Sequence, residues 1–478
     1  MGLKWRDVLR LLFFLKEGGT KIIDGKKIEE YLLNAKIPDD KETAAILSRA
    51  GELKGINCEE ASRLLLLNDE EAVHKLTATA NYIKESIYGK RLVLFAPLYV
   101  SNMCNNECLY CAFRRSNEDI GRNTLSMEQI RKETEILISQ GHKRILLVSG
   151  EGLGKSALDY TIDAIDTIYS VKLPKGNIRR INVNIAAMEV ADYKRLNQAK
   201  IGTYQLFQET YHEATYHEMH QGGPKADFHY HLGAMDRAME AGIQDVGVGI
   251  LFGLADYKFE IMALLQHIRH LEDRFGIGPH TISVPRIEPA AGSVVASSPP
   301  HAVDDITFRK IIAVLRITVP YTGMILSTRE NAETRRAALN LGISQISAGS
   351  RTNPGGYSDS KSEEQFSLGD HRPLAEVIED IVNLDHIPSF CTGCYRLGRV
   401  GRDFMDLAKP GAIKTHCYPN AIFTFAEYLE DFADERLKSK GYALIDRTVG
   451  ENITNPKLVE RIRMNMEEIK KGKRDIYL

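Results

Sequence analysis

Three cysteines, Cys104, Cys108 and Cys111, stand at C-x3-C-x2-C spacing directly after an apolar run. Three thiolates hold three irons of a 4Fe–4S cube and leave the fourth iron without a protein ligand. An open iron is what a reagent needs if it is to bind and be reduced. A structural zinc site would close with a fourth ligand, yet Cys111 is followed by Ala112-Phe113-Arg114-Arg115. A second trio, Cys391, Cys394 and Cys417, has C-x2-C-x22-C spacing and again leaves one iron unligated. Its rival is a Cys3His zinc site through His416, but neighbours in sequence seldom reach one metal in good geometry. The seventh cysteine, Cys58, stands alone in a helical-looking stretch as a small core residue.

The first trio needs a strand to carry it, and Leu92–Val100 reads as one that is buried. Further strands are expected at Arg144–Ser149, Ile181–Ile185, Thr203–Gln208, Asp245–Leu251, Thr281–Arg286, Met324–Ser327 and Gln345–Ala348. Amphipathic helical patterns separate them, including Met127–Ser139, Ala157–Val171, Tyr193–Ala199, Phe228–Ala241, Tyr257–Arg274 and Ile306–Ile317. Eight βα units predict an α/β chain built on a (β/α)8 TIM-type barrel over residues 91–372. Residues 1–90 read as a helical N-terminal region in which Trp5, Val8, Leu9, Leu12 and Leu15 share a helical spacing. Tyr82, Tyr88 and His74 are expected there as packing residues. Residues 373–478 read as a helical C-terminal domain carrying the second trio.

Such barrels place reactive groups on loops at the C-terminal strand ends. Those loops hold Ser149-Gly150-Glu151-Gly152, a small-residue turn that lets backbone approach a ligand, and Gln208-Glu209, with Glu209 suited to ribose hydroxyls. Three arginines end the later strands: Arg286, Arg329 and Arg351. Guanidinium forks pair with carboxylates, so these predict a small anionic or zwitterionic ligand, with Arg329 or Arg351 on the substrate. The alternative for each is a salt bridge to a neighbour such as Glu288 or Glu330.

Composition narrows the class. In 478 residues, 62 Lys+Arg against 64 Asp+Glu give a formal charge of −2, which argues against a nucleic-acid partner. No apolar run reaches a membrane span, and Leu11–Leu15 is too short for a signal-peptide core. A cytoplasmic protein is expected, and in that reducing compartment the six clustered cysteines read as metal ligands and not as disulfides.

The first trio, with Tyr110 before its last cysteine, resembles that of the radical S-adenosylmethionine (SAM) enzymes. Ser149-Gly150-Glu151 is similar to their Gly-Gly-Glu motif, with serine at the first position. Beyond these, His280-Thr281-Ile282-Ser283-Val284-Pro285-Arg286, Leu326-Ser327-Thr328-Arg329-Glu330, Ser347-Ala348-Gly349-Ser350-Arg351-Thr352 and the second trio resemble the HydG-type FeFe-hydrogenase maturases. The barrel motifs are shared with thiazole-pathway (ThiH-type) tyrosine lyases, and the C-terminal trio separates the two. The resemblance implies SAM, two 4Fe–4S clusters, the C-terminal one with an extra iron, and cleavage of L-tyrosine to p-cresol and dehydroglycine. It also implies CO and cyanide formation at the second cluster, a low-potential electron donor, and other hydrogenase maturation proteins as partners. Tyr110, Ser149, Gly150, Glu151, Gln208, Glu209 and Arg286 would then hold the cofactor. His280 would bind the extra iron, with His270 as competitor. Two other readings stand beside it: a thiazole-pathway 2-iminoacetate synthase with a non-catalytic C-terminal metal site, and a cluster-binding scaffold without catalysis.

Overall fold

Alternation along one strand sets the architecture. β1 (Arg91–Ser101) is buried at all eleven positions, with its two faces in different surroundings. Leu92, Leu94, Ala96, Leu98 and Val100 pack outward into the main apolar core. Arg91 and Val93 line one cavity, and Phe95, Pro97 and Tyr99 line another. A strand's side chains alternate faces, so β1 has one face in a greasy layer and the other along the barrel interior.

The computed structural model describes residues 21–359 and 363–478; the expected helix around Trp5 to Leu15 lies outside them. After β1 come β2 (Arg144–Ser149), β3 (Arg180–Asn184), β4 (Tyr204–Gln205), β5 (Val246–Gly249), β6 (Thr281–Ser283), β7 (Gly323–Leu326) and β8 (Gln345–Ser347). Each pairs in parallel with the one before it. β8 returns to β1 through Val93↔Gln345, Leu94↔Ile346 and Phe95↔Ser347, which closes an eight-stranded parallel barrel. All eight expected strands are present. Helices cover the outside, among them Met127–Ser139, whose Ser126 and Gln129 form a capping box. The expected continuous helix Phe228–Ala241 is instead two, Phe228–Leu232 and Ala234–Glu240, separated at Gly233, a residue type poorly suited to helix interiors.

Among the described residues, four helices lie before the barrel, Gly25–Asn34, Asp40–Ala50, Cys58–Leu64 and Glu70–Tyr88. The last turns Leu76, Ala80, Ile83 and Ile87 inward at helical spacing. Tyr88 is buried, but Tyr82 is 58% exposed and His74 is exposed, so neither packs as expected; both fall on the outer face of that stripe. Cys58 opens its helix half-buried at the core's edge.

Beyond the barrel the chain is helical apart from β9 (Ile387–Ser389), a strand not expected from the sequence. It adds in parallel to the start of β1 through Arg91↔Ile387, Leu92↔Pro388 and Val93↔Ser389. That pairing brings the segment from Cys391 onward under the N-terminal end of the barrel. The helix Lys414–Asp431 is buried along most of its length and presents Cys417. Among the described residues, no helix is long and apolar enough to cross a membrane.

Candidate active site

The loop after β1 carries the first trio, and two other segments pin it. Cys108 bridges antiparallel to His220, Glu107 N–H donates to Gly222 O at 2.9 Å, and Leu109 N–H to Met219 O at 2.9 Å. Arg122 gathers carbonyls from within the loop, those of Asn102 at 3.0 Å and Phe113 at 2.8 Å among them. Tyr110 is buried, its hydroxyl 2.8 Å from His220 Nε2. Cys104, Cys108 and Cys111 all line one cavity over the C-terminal strand ends, with about 1400 Å³ of empty space counting its mouth. Burial pushes the Cys104 thiol up to about 11 and raises Cys108 and Cys111 as well. Buried thiols of this kind become thiolates when a cation binds them.

Several expected partners line the same cavity. Ser149, Gly150 and Glu151 do, and a Cβ on Gly150 or Gly152 would strike the Met103 and Cys104 backbone, so this turn packs directly on the cysteine loop. Glu151 Oε2 accepts from Asn106 Nδ2 at 2.7 Å. Glu209 reaches the cavity from a left-handed backbone (φ 68°), held by a bridge to Ile250 and by Leu251 N–H donating to its carbonyl at 2.9 Å. Gln208 does not line the cavity; its Nε2 is buried without a partner.

The arginines divide. Arg329 lines the cavity, packs 3.2 Å from the Phe366 ring centroid, and has no ion-pair partner among the described residues. Arg286 does not line it. Its guanidinium is taken by Glu330, by Asp305 at 2.8 Å and by the Val303 carbonyl at 3.0 Å, so the salt-bridge alternative holds there and the expected cofactor contact does not. Arg351 also lies off the cavity and donates to Ser350 O at 2.9 Å.

At the opposite end of the barrel the second trio lines a separate cavity with Arg91, Arg144, Arg180, Asp245, His280 and Arg399. His280 is held neutral by burial, its pKa lowered to about 4. Its Nδ1 is buried without a hydrogen bond, 3.6 Å from Asp245 Oδ1. The hydrogen bond from Cys394, against burial and with Arg91 and Arg399 beside it, draws the Cys417 thiol below its ordinary value. Nε of Arg91, Arg144 and Arg399 is buried and unpartnered. His416 turns instead to Arg399, 3.1 Å from Nδ1 to Nη1, and does not line this cavity. His270 is also elsewhere, 2.7 Å from Asp236.

Among the described residues, no three His, Cys, Asp or Glu side chains close on a point as the ligands of one ion do. Three thiols spread around a cavity with no fourth ligand suit a larger cluster with one open iron. At the second trio, an unpartnered neutral imidazole and orphaned guanidinium nitrogens fit a cluster that takes a histidine and an anion.

Sequence spacing gave no sign of Lys225, buried at the first cavity with Nζ 3.0 Å from Glu209 Oε1. Burial opposes its charge, but Glu209 and Cys108 hold its pKa well above the usual lysine value. Gln365 and Phe366 were also missed. They enter the first cavity from beyond the barrel, where turn-rich sequence promised nothing. Three of the second cavity's four arginines, Arg91, Arg144 and Arg180, sit at strand starts, where barrel rules predict no chemistry.

Residues 98–268 match the Radical SAM superfamily, and residues 283–387 match the Biotin and Thiamin Synthesis associated domain. Both segments stop short of Cys391. The 2-iminoacetate synthase of Escherichia coli (strain K12) is 31% identical over 332 residues, 69% of this chain and 85% of that protein. The X-ray structure of the FeFe-hydrogenase maturase HydG from Carboxydothermus hydrogenoformans has a TM-score of 0.81 and 41% identity, over 92% of this chain and 97% of that one. A second crystal structure, of HydG as a maturase of the [FeFe]-hydrogenase, has a TM-score of 0.93 and 49% identity, covering 96% of this chain and all of that one. A radical SAM enzyme of this kind binds a 4Fe–4S cluster and SAM. Because the likeness to HydG extends over nearly the whole chain, past the part matched by the 2-iminoacetate synthase, the chain belongs to the HydG family of [FeFe]-hydrogenase maturases within the radical SAM superfamily.

Proposed function

We propose that the chain cleaves L-tyrosine at Cα–Cβ to p-cresol and dehydroglycine at the first trio, and converts dehydroglycine to CO and cyanide at the second, for [FeFe]-hydrogenase maturation. The observation that carries this reading is the pair of cysteine-lined cavities at opposite ends of one barrel. When bound, the first cluster supplies an electron for SAM cleavage to a 5′-deoxyadenosyl radical, and the second supplies a metal surface with an extra iron.

Every other task falls to the chain. Arg329, with no carboxylate partner of its own, binds the tyrosine carboxylate. Glu209, Glu151 and Lys225 hold the polar parts of SAM, and Tyr110 is fixed by His220 beneath the cysteine loop. Phe95, Tyr99, Phe113, Phe207 and Phe366 exclude water from the radical. Between the cavities the interior offers Asn182, Gln205 and Thr281, the last two joined by a hydrogen bond of 3.3 Å, a polar path for a zwitterionic fragment. Arg91, Arg144 and Arg399 receive its carboxylate, and His280 binds the extra iron. A low-potential donor and the other maturation proteins are the partners this chemistry needs, and seven free cysteines suit the cytoplasm.

A Cys391→Ser/Cys394→Ser double variant tests it. It should still release p-cresol but form no CO, measured on one sample by chromatography and deoxyhaemoglobin trapping. An ordinary CO yield from that variant sinks the division of labour and moves the chain toward 2-iminoacetate synthase chemistry.

A further inference from the structure

One segment touches both halves of the first site, and its Gln365 has no part in the chemistry above. Gln365 donates from Nε2 to Cys111 Sγ at 3.5 Å and accepts at Oε1 from the Tyr99 hydroxyl at 2.7 Å. Burial raises the Tyr99 pKa, so that phenol stays protonated and donates. The amide is thereby oriented with its oxygen on Tyr99 and its N–H on the sulfur. The next residue, Phe366, lies against Arg329. Backbone bonds fasten the segment to both sides: Ala112 N–H to Gln365 O at 3.4 Å, and Gly369 N–H to Thr328 O at 2.9 Å. It therefore links the residue after Cys111 to the residue before Arg329.

We propose that Gln365 is a positioning residue that sets the reduction potential of the cluster held by Cys104, Cys108 and Cys111, and carries to that cluster the arrival of a carboxylate at Arg329. This rests on the roles given above to the first trio and to Arg329. Hydrogen bonds to cluster sulfurs stabilise the more negative, reduced state and raise the potential. A carboxylate on Arg329 competes with the Phe366 ring for the guanidinium. Any shift of Phe366 is passed through one peptide unit to the N–H···S bond. Reduction is then matched to occupancy by substrate, which limits SAM cleavage in an empty site.

The test is an EPR-monitored redox titration, with and without tyrosine, in the Cys391→Ser/Cys394→Ser background, where only the first cluster reports. Gln365→Leu should lower the midpoint, changing the ratio of reduced to oxidised cluster at fixed potential by about tenfold, about 59 mV for one electron. Tyrosine should raise the midpoint of the background protein and leave that of Gln365→Leu unmoved. An unshifted midpoint in Gln365→Leu overturns the inference, as does a tyrosine response equal in both proteins or absent from both. Iron and sulfide counts show whether Gln365→Leu loads. If it does not, Tyr99→Phe decides, because it frees the amide to turn over and should lower the midpoint by a smaller amount; no shift there overturns the inference. Failure of the background protein to cleave SAM would instead remove the functional reading itself.

Discussion

The two ends of the barrel bring cysteine trios together by different means. The upper cavity is made by loops of the barrel, completed by Gln365 and Phe366. The lower one needs three parts of the chain: Tyr88 from the N-terminal helices, the starts of several strands, and the segment after β9. The upper has about 1400 Å³ of empty space and aromatic walls, while the lower has about 630 Å³ and four arginines against one aspartate. Arg91 and Tyr99, eight residues apart on β1, lie roughly 26 Å apart along the tilted strand. A large chamber with aromatic walls suits a radical, and a small cationic one suits an anion delivered to a metal. The older barrel rule describes only the upper end.

The largest effect that separates the ends comes from the first trio. Replacing any of Cys104, Cys108 or Cys111 by Ala should take 5′-deoxyadenosine below detection while the circular dichroism spectrum stays that of the parent. Undiminished 5′-deoxyadenosine from one such variant would end the radical SAM assignment of this loop. Next is His280→Ala at the lower end. It should lower iron content by about one per chain and cut CO formation at least about tenfold, with p-cresol release kept within about twofold. Equal losses of p-cresol and CO would show that the two cavities are not separable.

A smaller effect sorts the arginines. Arg329→Lys should raise the tyrosine KM about tenfold to a hundredfold, the ~1.4–3 kcal/mol of a lost bidentate contact, and leave the KM for SAM nearly unchanged. Arg351→Lys should leave both unchanged. Arg286→Ala should instead destabilise the fold by about 3–5 kcal/mol, because it strands Glu330, which is 1% exposed, without its partner. A tyrosine KM that rises in Arg351→Lys and not in Arg329→Lys would relocate the carboxylate clamp.

These three arginines also show where sequence stops. All stand at strand ends and look alike in the chain, yet their fates depend on residues that spacing does not reveal. Glu330 and Asp305 claim Arg286, whereas Phe366, 37 positions beyond Arg329, supplies that residue with a ring and no charge. The eight strands were legible because apolar runs bounded by turns alternate with helical periodicity, and each segment carries its own pattern. β9 was not, since Ile387-Pro388-Ser389 has a proline at its centre and stands among helical patterns. Lys225 was missed because it enters the site from the short turn Pro224–Ala226, brought there by the pairing of residues 219–222 with the cysteine loop and by its own N–H on Asn106 Oδ1 at 2.9 Å.

The smallest predicted effect concerns how the lower end is held in place. β9 leads into Cys391, and His386 just before it meets Lys84 of the N-terminal helix Glu70–Tyr88, Nζ to Nε2 at 3.0 Å, both buried. His386 Nδ1 lies 2.8 Å from Leu384 O, so Nδ1 donates there and Nε2 is left to accept from the lysine. Burial lowers the Lys84 pKa from 10.5 to about 7 and that of His386 from 6.5 to about 3. Between pH 7 and 10.5 the unfolded chain therefore holds a proton on Lys84 that the folded chain lacks, and stability rises with pH across that window. The total gain is at most about 5 kcal/mol, and most of a unit's worth, about 1.4 kcal/mol, should appear between pH 7.5 and 8.5. Lys84→Met should flatten this rise, seen as a smaller increase in Tm between pH 7.5 and 8.5 than in the parent. The same slope in both proteins would mean that Lys84 stays charged where it is buried, and that β9 is anchored by its pairing with β1 without help from this contact.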